Sequence, residues 1–385
     1  MHSCTFTETI GRTPTSAHDD PAGGIVARCK ALLTSSRAAT LIAVAAAVVG
    51  FAASAAPAAS AASIPFGFND NGVAQGLVTP AQDALLAKEG GATVERITVD
   101  WQWAEPEPGV YDLAPYDAIY DALIAQGIKP LWVPIFAPSW AISSSTPCNQ
   151  DTQDCRYPPA PAHDEDYAGL AAYFATRYPD SAGIEVWNEE NLDYYWEPAP
   201  NAAAYEQLLQ TTYTMVKKYA PNMPVVLGGV SDLESSDPND VPLGTFLQQV
   251  YADGGQNYMN AVSVHPYPAQ GTSLAQTWQA MATVRQVQAE YNDLSRPVWV
   301  TEVGVSTNGG AVTPQQQASM LGQIYTTLES PAYSYVQMLM IHTLVDPEDT
   351  DVTDEGYGVV SDSLAPSPAF CTLAALQGSS FSCPQ

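Results

Sequence analysis

From residue 64 onward the chain alternates short apolar runs with longer stretches in which apolar residues recur every three or four positions. The short runs lie at 64–68, 92–99, 129–135, 183–187, 224–228, 259–264, 297–303 and 335–344, and read as strands. The longer stretches, at 80–88, 115–126, 164–177, 201–219, 243–253, 274–291, 314–329 and 368–377, read as helices. This alternation forces parallel pairing, because each crossover helix returns the chain to the same end of the sheet. Eight strands spaced by tens of residues suit a closed α/β barrel, a single (β/α)8 TIM barrel over 62–385, better than an open doubly wound sheet. Neither GxGxxG nor GxxxxGK[ST] follows an early strand, so the open alternative lacks its phosphate cradle. No Ser-, Thr- or Pro-rich linker leads to a second domain.

Composition narrows the function classes. Of 385 residues, 46% are hydrophobic and 14% charged, which fits a packed globular domain and excludes disorder as the main state. Forty-one acidic residues face 13 Lys and Arg, a formal charge of −28, so the field repels phosphate backbones and anionic lipid. Nucleic acid is excluded as a partner on that ground.

Residues 38–62 carry no charge, consist almost wholly of Ala, Val, Leu, Ile, Gly and Ser, and follow the bases Arg28, Lys30 and Arg37. That pattern predicts a secretory signal over 1–61, with small-x-small sites at Ala53-Ser54-Ala55 and Ala59-Ser60-Ala61 and a mature chain starting at Ala62. A membrane anchor is the competing reading of so long a run; the Ala and Ser of its second half make it weakly hydrophobic, and we expect no membrane association after cleavage. Cys4 and Cys29 leave with the leader, while Cys148, Cys155, Cys371 and Cys383 remain. An even count in an exported chain predicts disulfides, and sequence proximity favours Cys148 with Cys155 and Cys371 with Cys383 among the three pairings. Their spacings are not the CxxC pairs of a zinc site and no His lies near them.

In such a barrel the reactive groups belong at the carboxyl ends of the strands. Two glutamates fall there. Glu189 lies in Ile184-Glu185-Val186-Trp187-Asn188-Glu189-Glu190-Asn191 after the fourth strand, and Glu302 in Val298-Trp299-Val300-Thr301-Glu302-Val303-Gly304 after the seventh. A carboxylate at the end of an apolar strand is costly to desolvate, and functional sites are where such costs are tolerated.

These two segments resemble the acid/base and nucleophile motifs of retaining glycoside hydrolases of clan A, similar to families 39 and 5, whose usual forms read W-N-E-P-N and W-x-T-E-x-G. The resemblance extends to 91–101, Glu107-Pro108-Gly109-Val110-Tyr111, Ala137-Pro138-Ser139-Trp140-Ala141 and Val264-His265-Pro266-Tyr267, and so covers nearly all of the mature chain in order. It implies Glu189 as general acid/base, Glu302 as nucleophile, Arg96 bonded to the nucleophile, Asn188 at the sugar 2-hydroxyl, and His265 and Tyr267 lining the same pocket. The implied activity is hydrolysis of an extracellular poly- or oligosaccharide by a monomer that needs no cofactor and no metal. A silent carbohydrate-binding barrel and a transglycosylase with the same site are the alternatives. Retention needs one attacking carboxylate and one proton-donating carboxylic acid about 5 to 5.5 Å apart. An Arg beside Glu302 would keep it ionised, and burial beside that charge would keep Glu189 protonated.

Sugars stack their C–H faces on aromatic rings. Trp101, Trp103, Trp140, Tyr194, Tyr195 and Trp196 fall after the second, third and fourth strands, and Trp101 and Trp140 are expected to contact substrate. The chain departs from the family pattern at Glu190, where Pro is usual; strand alternation points Glu190 outward, away from Glu189. The eighth strand lacks the usual aromatic platform, and His342 stands about there, either as a substrate contact or as a packed core histidine. The Asp-rich segment 346–351 resembles a cation loop in composition but lacks EF-hand spacing and reads as a solvated surface.

Overall fold

The structure, a computed structural model, describes residues 63–70, 72–143, 156–232, 237–269, 271–310, 312–346 and 356–384. The expected leader, Cys148, Cys155 and most of the Asp-rich segment lie outside the described residues. Eight strands form a closed parallel barrel in chain order: β1 (Phe66–Asp70), β2 (Val94–Asp100), β3 (Lys129–Ile135), β4 (Gly183–Asn188), β5 (Val225–Ser231), β6 (Val262–His265), β7 (Val298–Val300) and β8 (Val336–Ile341), with β8 pairing back onto β1. The expected (β/α)8 architecture is borne out.

The crossovers are α1 (Pro80–Glu89), α3 (Ala114–Ala125), α4 (Asp164–Arg177), α5 (Ala202–Tyr219), α6 (Leu243–Ala252), α7 (Ala275–Glu290) and α8 (Pro314–Leu328), with the short α2 (Trp101–Ala104) after β2 and α9 (Pro368–Leu376) near the C-terminus. Local chemistry fixes their starts. Thr79 and Gln82 close a capping box on α1, Thr313 and Gln316 close another on α8, and both helices carry Pro in the first turn. Helix α4 opens on Asp164, Glu165 and Asp166 and ends on Arg177, each suited to its end of the helix dipole. The expected Cys371–Cys383 disulfide ties α9 to the C-terminal segment, where Phe381 packs edge-on against Phe370.

The core has two parts. Trp101, Trp132, Tyr167, Tyr178, Tyr205 and Phe246 lie among the fully buried side chains between sheet and helices. Inside the barrel, Val94, Leu131, Val226, Ala261, Trp299, Met338 and Met340 form a separate apolar plug. Strand alternation then decides what sits on top of the plug, since residues two apart on one strand share a face. Beyond Val94, Ala261 and Trp299 those positions are Arg96, Ser263 and Thr301, all buried.

Strand β7 is shorter than the expected 297–303. The Thr301 carbonyl accepts from the Asn69 side chain at 2.9 Å instead of continuing the ladder, and pairing resumes with Val303 N donating to Met340 O at 3.2 Å. Glu302 therefore leaves the sheet at a break between two paired stretches. Among the described residues, no helix is long and apolar enough to cross a membrane.

Candidate active site

Above the apolar plug lies a sealed polar layer. Glu185, Ser263 and Thr301 are fully buried and Arg96 is 4% exposed. Arg96 Nε donates to Glu185 Oε2 at 3.1 Å, Nη2 to Asn188 Oδ1 at 2.7 Å, and Nη1 to Asn69 Oδ1 at 2.9 Å and to Glu302 Oε1. Glu185 Oε1 accepts from Thr301 Oγ1 at 3.1 Å and Ser263 Oγ at 3.3 Å. One guanidinium thus bonds two carboxylates, one below it and one at the mouth. Burial alone would make Arg96 easier to deprotonate, but Glu185 and Glu302 outweigh it and hold the cation more firmly than in water.

The end of β4 turns three consecutive residues in different directions. Trp187 (φ 72°) and Glu189 (φ 45°) adopt left-handed backbone, which costs a non-glycine residue on the order of 1–2 kcal/mol each. Packing and hydrogen bonds offset that cost: the Trp187 indole is buried, its Nε1 donates to Tyr195 O at 2.7 Å, and its amide donates to the Tyr167 hydroxyl at 3.0 Å. The two kinks suspend strand alternation. Asn188 reaches Arg96, Glu189 reaches His265, and Glu190 turns behind the sheet.

Three groups meet at the mouth. His265 Nδ1 lies 2.9 Å from Glu189 Oε1 and 3.7 Å from Glu302 Oε2, and the facing atoms of the three residues all lie within 4.8 Å of one another. The other imidazole nitrogen, Nε2, is 3.1 Å from Thr301 Oγ1, so the ring is fixed at both ends. Tyr267 donates to Glu302 Oε2 at 2.7 Å, and His342 Nδ1 stands 3.8 Å from the same oxygen. Burial pushes the Glu302 carboxyl up, but His265, Arg96, His342 and the Tyr267 hydroxyl together overcome it and bring the group down to about 2. Tyr267 itself is driven well above its ordinary range by burial and by Glu302 and Glu189. Among the described residues a second set of facing acids, Asp193, Asp237 and Asp240, lies in the loops after β4 and β5.

The sequence profile of the glycosyl hydrolase catalytic core family matches residues 167–362, just over half of the chain. The chain belongs to that family. This glycosyl hydrolase core is 22% identical over 289 residues to endo-1,4-beta-xylanase B of Cellvibrio japonicus, covering 71% of this chain and 40% of the xylanase. Among solved structures it resembles a family 39 glycoside hydrolase of Bacteroides cellulosilyticus WH2, with TM-score 0.65, 22% identity, and 82% of this chain and 63% of that one covered. A monomeric beta-xylosidase of Caulobacter crescentus CB15 gives TM-score 0.63 and 19% identity over 81% of this chain and 67% of that one. The chain thus spans well under half of the xylanase and a little under two thirds of the family 39 structure. Fold and family are those of a glycosyl hydrolase catalytic core on a (β/α)8 barrel.

Of the residues singled out in the sequence, Glu189, Glu302, Arg96, Asn188, His265, Tyr267 and His342 come together in the glycosyl hydrolase core. The expected Arg96–Glu302 bond is present. The aromatic residues divide. Trp101 is fully buried, donates to Glu105 Oε2 at 2.8 Å and packs edge-on against Trp140 and Tyr167. Its expected role as a substrate contact is therefore corrected: it is a core residue with its face already covered. Trp140 is half-buried over Trp101 and His163, Trp196 is buried, and Trp103 and Tyr194 are the exposed rings of the group. His342 is neither isolated nor wholly packed away: its ring stands against Tyr267 and Tyr357, 6.0 and 5.4 Å between centroids.

Glu190 turns away from Glu189, behind the sheet, as alternation expects, but that side is covered rather than open to solvent. Its side chain is completely buried, with Oε2 only 2.3 Å from where a Cβ on Gly228 would stand. Tyr205, which lies against it, spends its hydroxyl on Val186 O at 3.0 Å and the Gly228 amide at 2.6 Å. Burial, reinforced by Glu185 and Glu189, pushes the Glu190 carboxyl well above the ordinary range. Glu185, Ser263, Thr301, Asn69 and Tyr357 were missed in the sequence. For the first three a signal existed, a polar residue sharing the inward face of an otherwise apolar strand. Asp346, the described end of the Asp-rich segment, accepts from the Gly356 and Gly358 amides and works there as a turn residue.

Proposed function

We propose that the chain is a secreted, retaining glycoside hydrolase that works by double displacement, with Glu302 as nucleophile and Glu189 as general acid/base. The observation that carries this reading is the approach of the two carboxylates to within 4.8 Å. That is close to the 5–5.5 Å typical of retention and short of the roughly 6.5–9.5 Å that inversion needs for a water between them. In the first step a Glu302 oxygen attacks the anomeric carbon while Glu189 gives its proton to the departing oxygen. In the second, water attacks the same carbon, Glu189 takes the water's proton, and the ester bond to Glu302 breaks. A nucleophile held ionised by Arg96 and Tyr267 suits the first step, and the His265 bond to Glu189 orients the proton donor.

The substrate is an extracellular β-linked poly- or oligosaccharide, and xylan and xylo-oligosaccharides come first because the Cellvibrio relative is named a xylanase and the Caulobacter one a xylosidase. Export is supported by the leader pattern over 1–61 and by the Cys371–Cys383 bridge, a bond that suits oxidising compartments. The secreted chain acts as a monomer starting at Ala62, binding neither nucleic acid nor membrane. Glu302→Ala is expected to abolish release of reducing sugar from a glycan panel, and azide added to Glu189→Ala with an activated aryl glycoside is expected to give an azido-sugar of retained configuration. Undiminished hydrolysis by either variant, or an inverted first product by proton NMR, would overturn the assignment.

A further inference from the structure

The reading of Glu302 as nucleophile leaves a second carboxylate of the site without a task. Glu185 has no exposed surface, faces Arg96 side-on with Nε at 3.1 Å and Nη2 at 3.4 Å, and bonds Thr301 and Ser263 with its remaining capacity. Substrate cannot reach it. We propose that Glu185 is a positioning residue that shares Arg96 with Glu302, keeping the guanidinium paired while Glu302 is esterified and so favouring formation of the glycosyl-enzyme over its breakdown.

The argument follows charge through the two steps. When a Glu302 oxygen bonds the anomeric carbon, the glycosidic bond breaks, its electron pair goes to the leaving oxygen, and that oxygen takes the proton from Glu189. Glu302 is then a neutral ester. Arg96, 4% exposed, would stand as a buried and unpaired cation at that moment, a costly state, were Glu185 not bonded to its other edge. In the second step water bonds the same carbon, its proton goes to Glu189, and the electron pair of the ester C–O bond returns to Glu302. Arg96 then regains its second partner. Neutralising Glu185 therefore penalises the first step, which uncovers the guanidinium, and assists the second, which covers it again. Loss of a merely structural bond would slow both steps together.

The proposal rests on the double-displacement reading, so its test has two independent arms. Glu185→Gln keeps shape and the acceptor for Thr301 and Ser263 while removing the charge. Its kinetics are followed on 2,4-dinitrophenyl β-xyloside, β-mannoside and β-glucoside, whose good leaving group makes breakdown of the intermediate limiting. The expected result is a loss of about ten- to a hundredfold in kcat/KM, with kcat changed less than about threefold and a smaller pre-steady-state burst. Equal loss in kcat and kcat/KM would overturn the proposal. The second arm needs no substrate: thermal unfolding of Glu185→Gln, Glu302→Gln and the double variant. Either single variant leaves Arg96 one carboxylate, so the double variant is expected to melt about 5–10 °C below the sum of the single shifts. Additive shifts would overturn the shared counter-ion. If the first product formed by the wild type has inverted configuration, the double-displacement reading fails on its own, while the unfolding cycle still decides the role of Glu185.

Discussion

The tightest constraint on the site comes from a residue with no side chain. Strand β5 passes His265 at Gly229, where a Cβ would stand 1.9 Å from Nε2, 2.4 Å from Cε1 and 2.5 Å from Cδ2. Ordinary contact between such atoms is about 3.5–4.0 Å, so Gly229→Ala requires the ring to retreat by roughly 1.5 Å or more. His265 has no free space to use: it is fully buried and held by Glu189 at 2.9 Å and Thr301 at 3.1 Å. Retreat breaks both bonds at about 1–1.5 kcal/mol each and adds about 1–3 kcal/mol of overpacking. The reduced entropy of the unfolded chain returns about 0.4–1 kcal/mol. The net expectation is a loss of about 2–6 kcal/mol, read as a lower urea midpoint at unchanged slope. Because the displaced ring orients Glu189, kcat/KM on a glycan with a poor leaving group is expected to fall about a hundredfold, and much less on a dinitrophenyl glycoside, which needs no acid. A variant within about 0.5 kcal/mol and threefold of wild type would refute the placement of His265 against β5.

Other outcomes follow from the same contacts. Burial lifts Asp83 to about 6 and Asp100 to about 7, so their protonated forms stabilise the fold below the ordinary carboxyl value of 3.8 and that stability is lost as pH rises through 6 and 7. Glu302, brought to about 2, contributes in the opposite sense, with stability present above 4.5 and lost as pH falls toward 2. The melting temperature should therefore peak near pH 4, and Asp83→Asn should flatten the fall between pH 4 and 6; a peak above pH 7 would contradict both assignments. Trp101→Ala removes a fully buried indole and is expected to cost about 3–5 kcal/mol in unfolding free energy, whereas Trp103→Ala, at a ring 51% exposed, should change stability by less than about 0.5 kcal/mol. Intact mass of the secreted chain should correspond to a start at Ala62, and a chain retaining residues 1–61 would refute the leader.

The fold was legible because the two periods of the sequence are those of its elements: every predicted strand and helix is found, most to within two or three residues at either end. The break after β7 was not, since it depends on Asn69, 232 positions earlier in the chain, capturing the Thr301 carbonyl. The residues around the carboxylates were legible through motif resemblance, but their surroundings were not. Alternation put Glu190 on the side away from Glu189, where it lies, but could not show that α5 covers that side and buries the carboxyl against Tyr205. Trp101 illustrates the same limit from the other side. It follows β2 at the reactive end of the barrel, yet the one-turn α2 folds its ring back beneath Trp140. Glu185 was visible as a charged residue in the middle of an apolar strand, and its meaning appears only once Arg96 is seen beside it.

The account rests on Glu302 being the atom donor that bonds the sugar. Incubation with a 2-deoxy-2-fluoro β-glycoside of the preferred sugar, followed by peptide mapping of the labelled protein, tests this directly. The predicted result is a single added glycosyl mass on the peptide containing Glu302, absent from Glu302→Gln. A label on Glu189, Glu190 or any other side chain would contradict it.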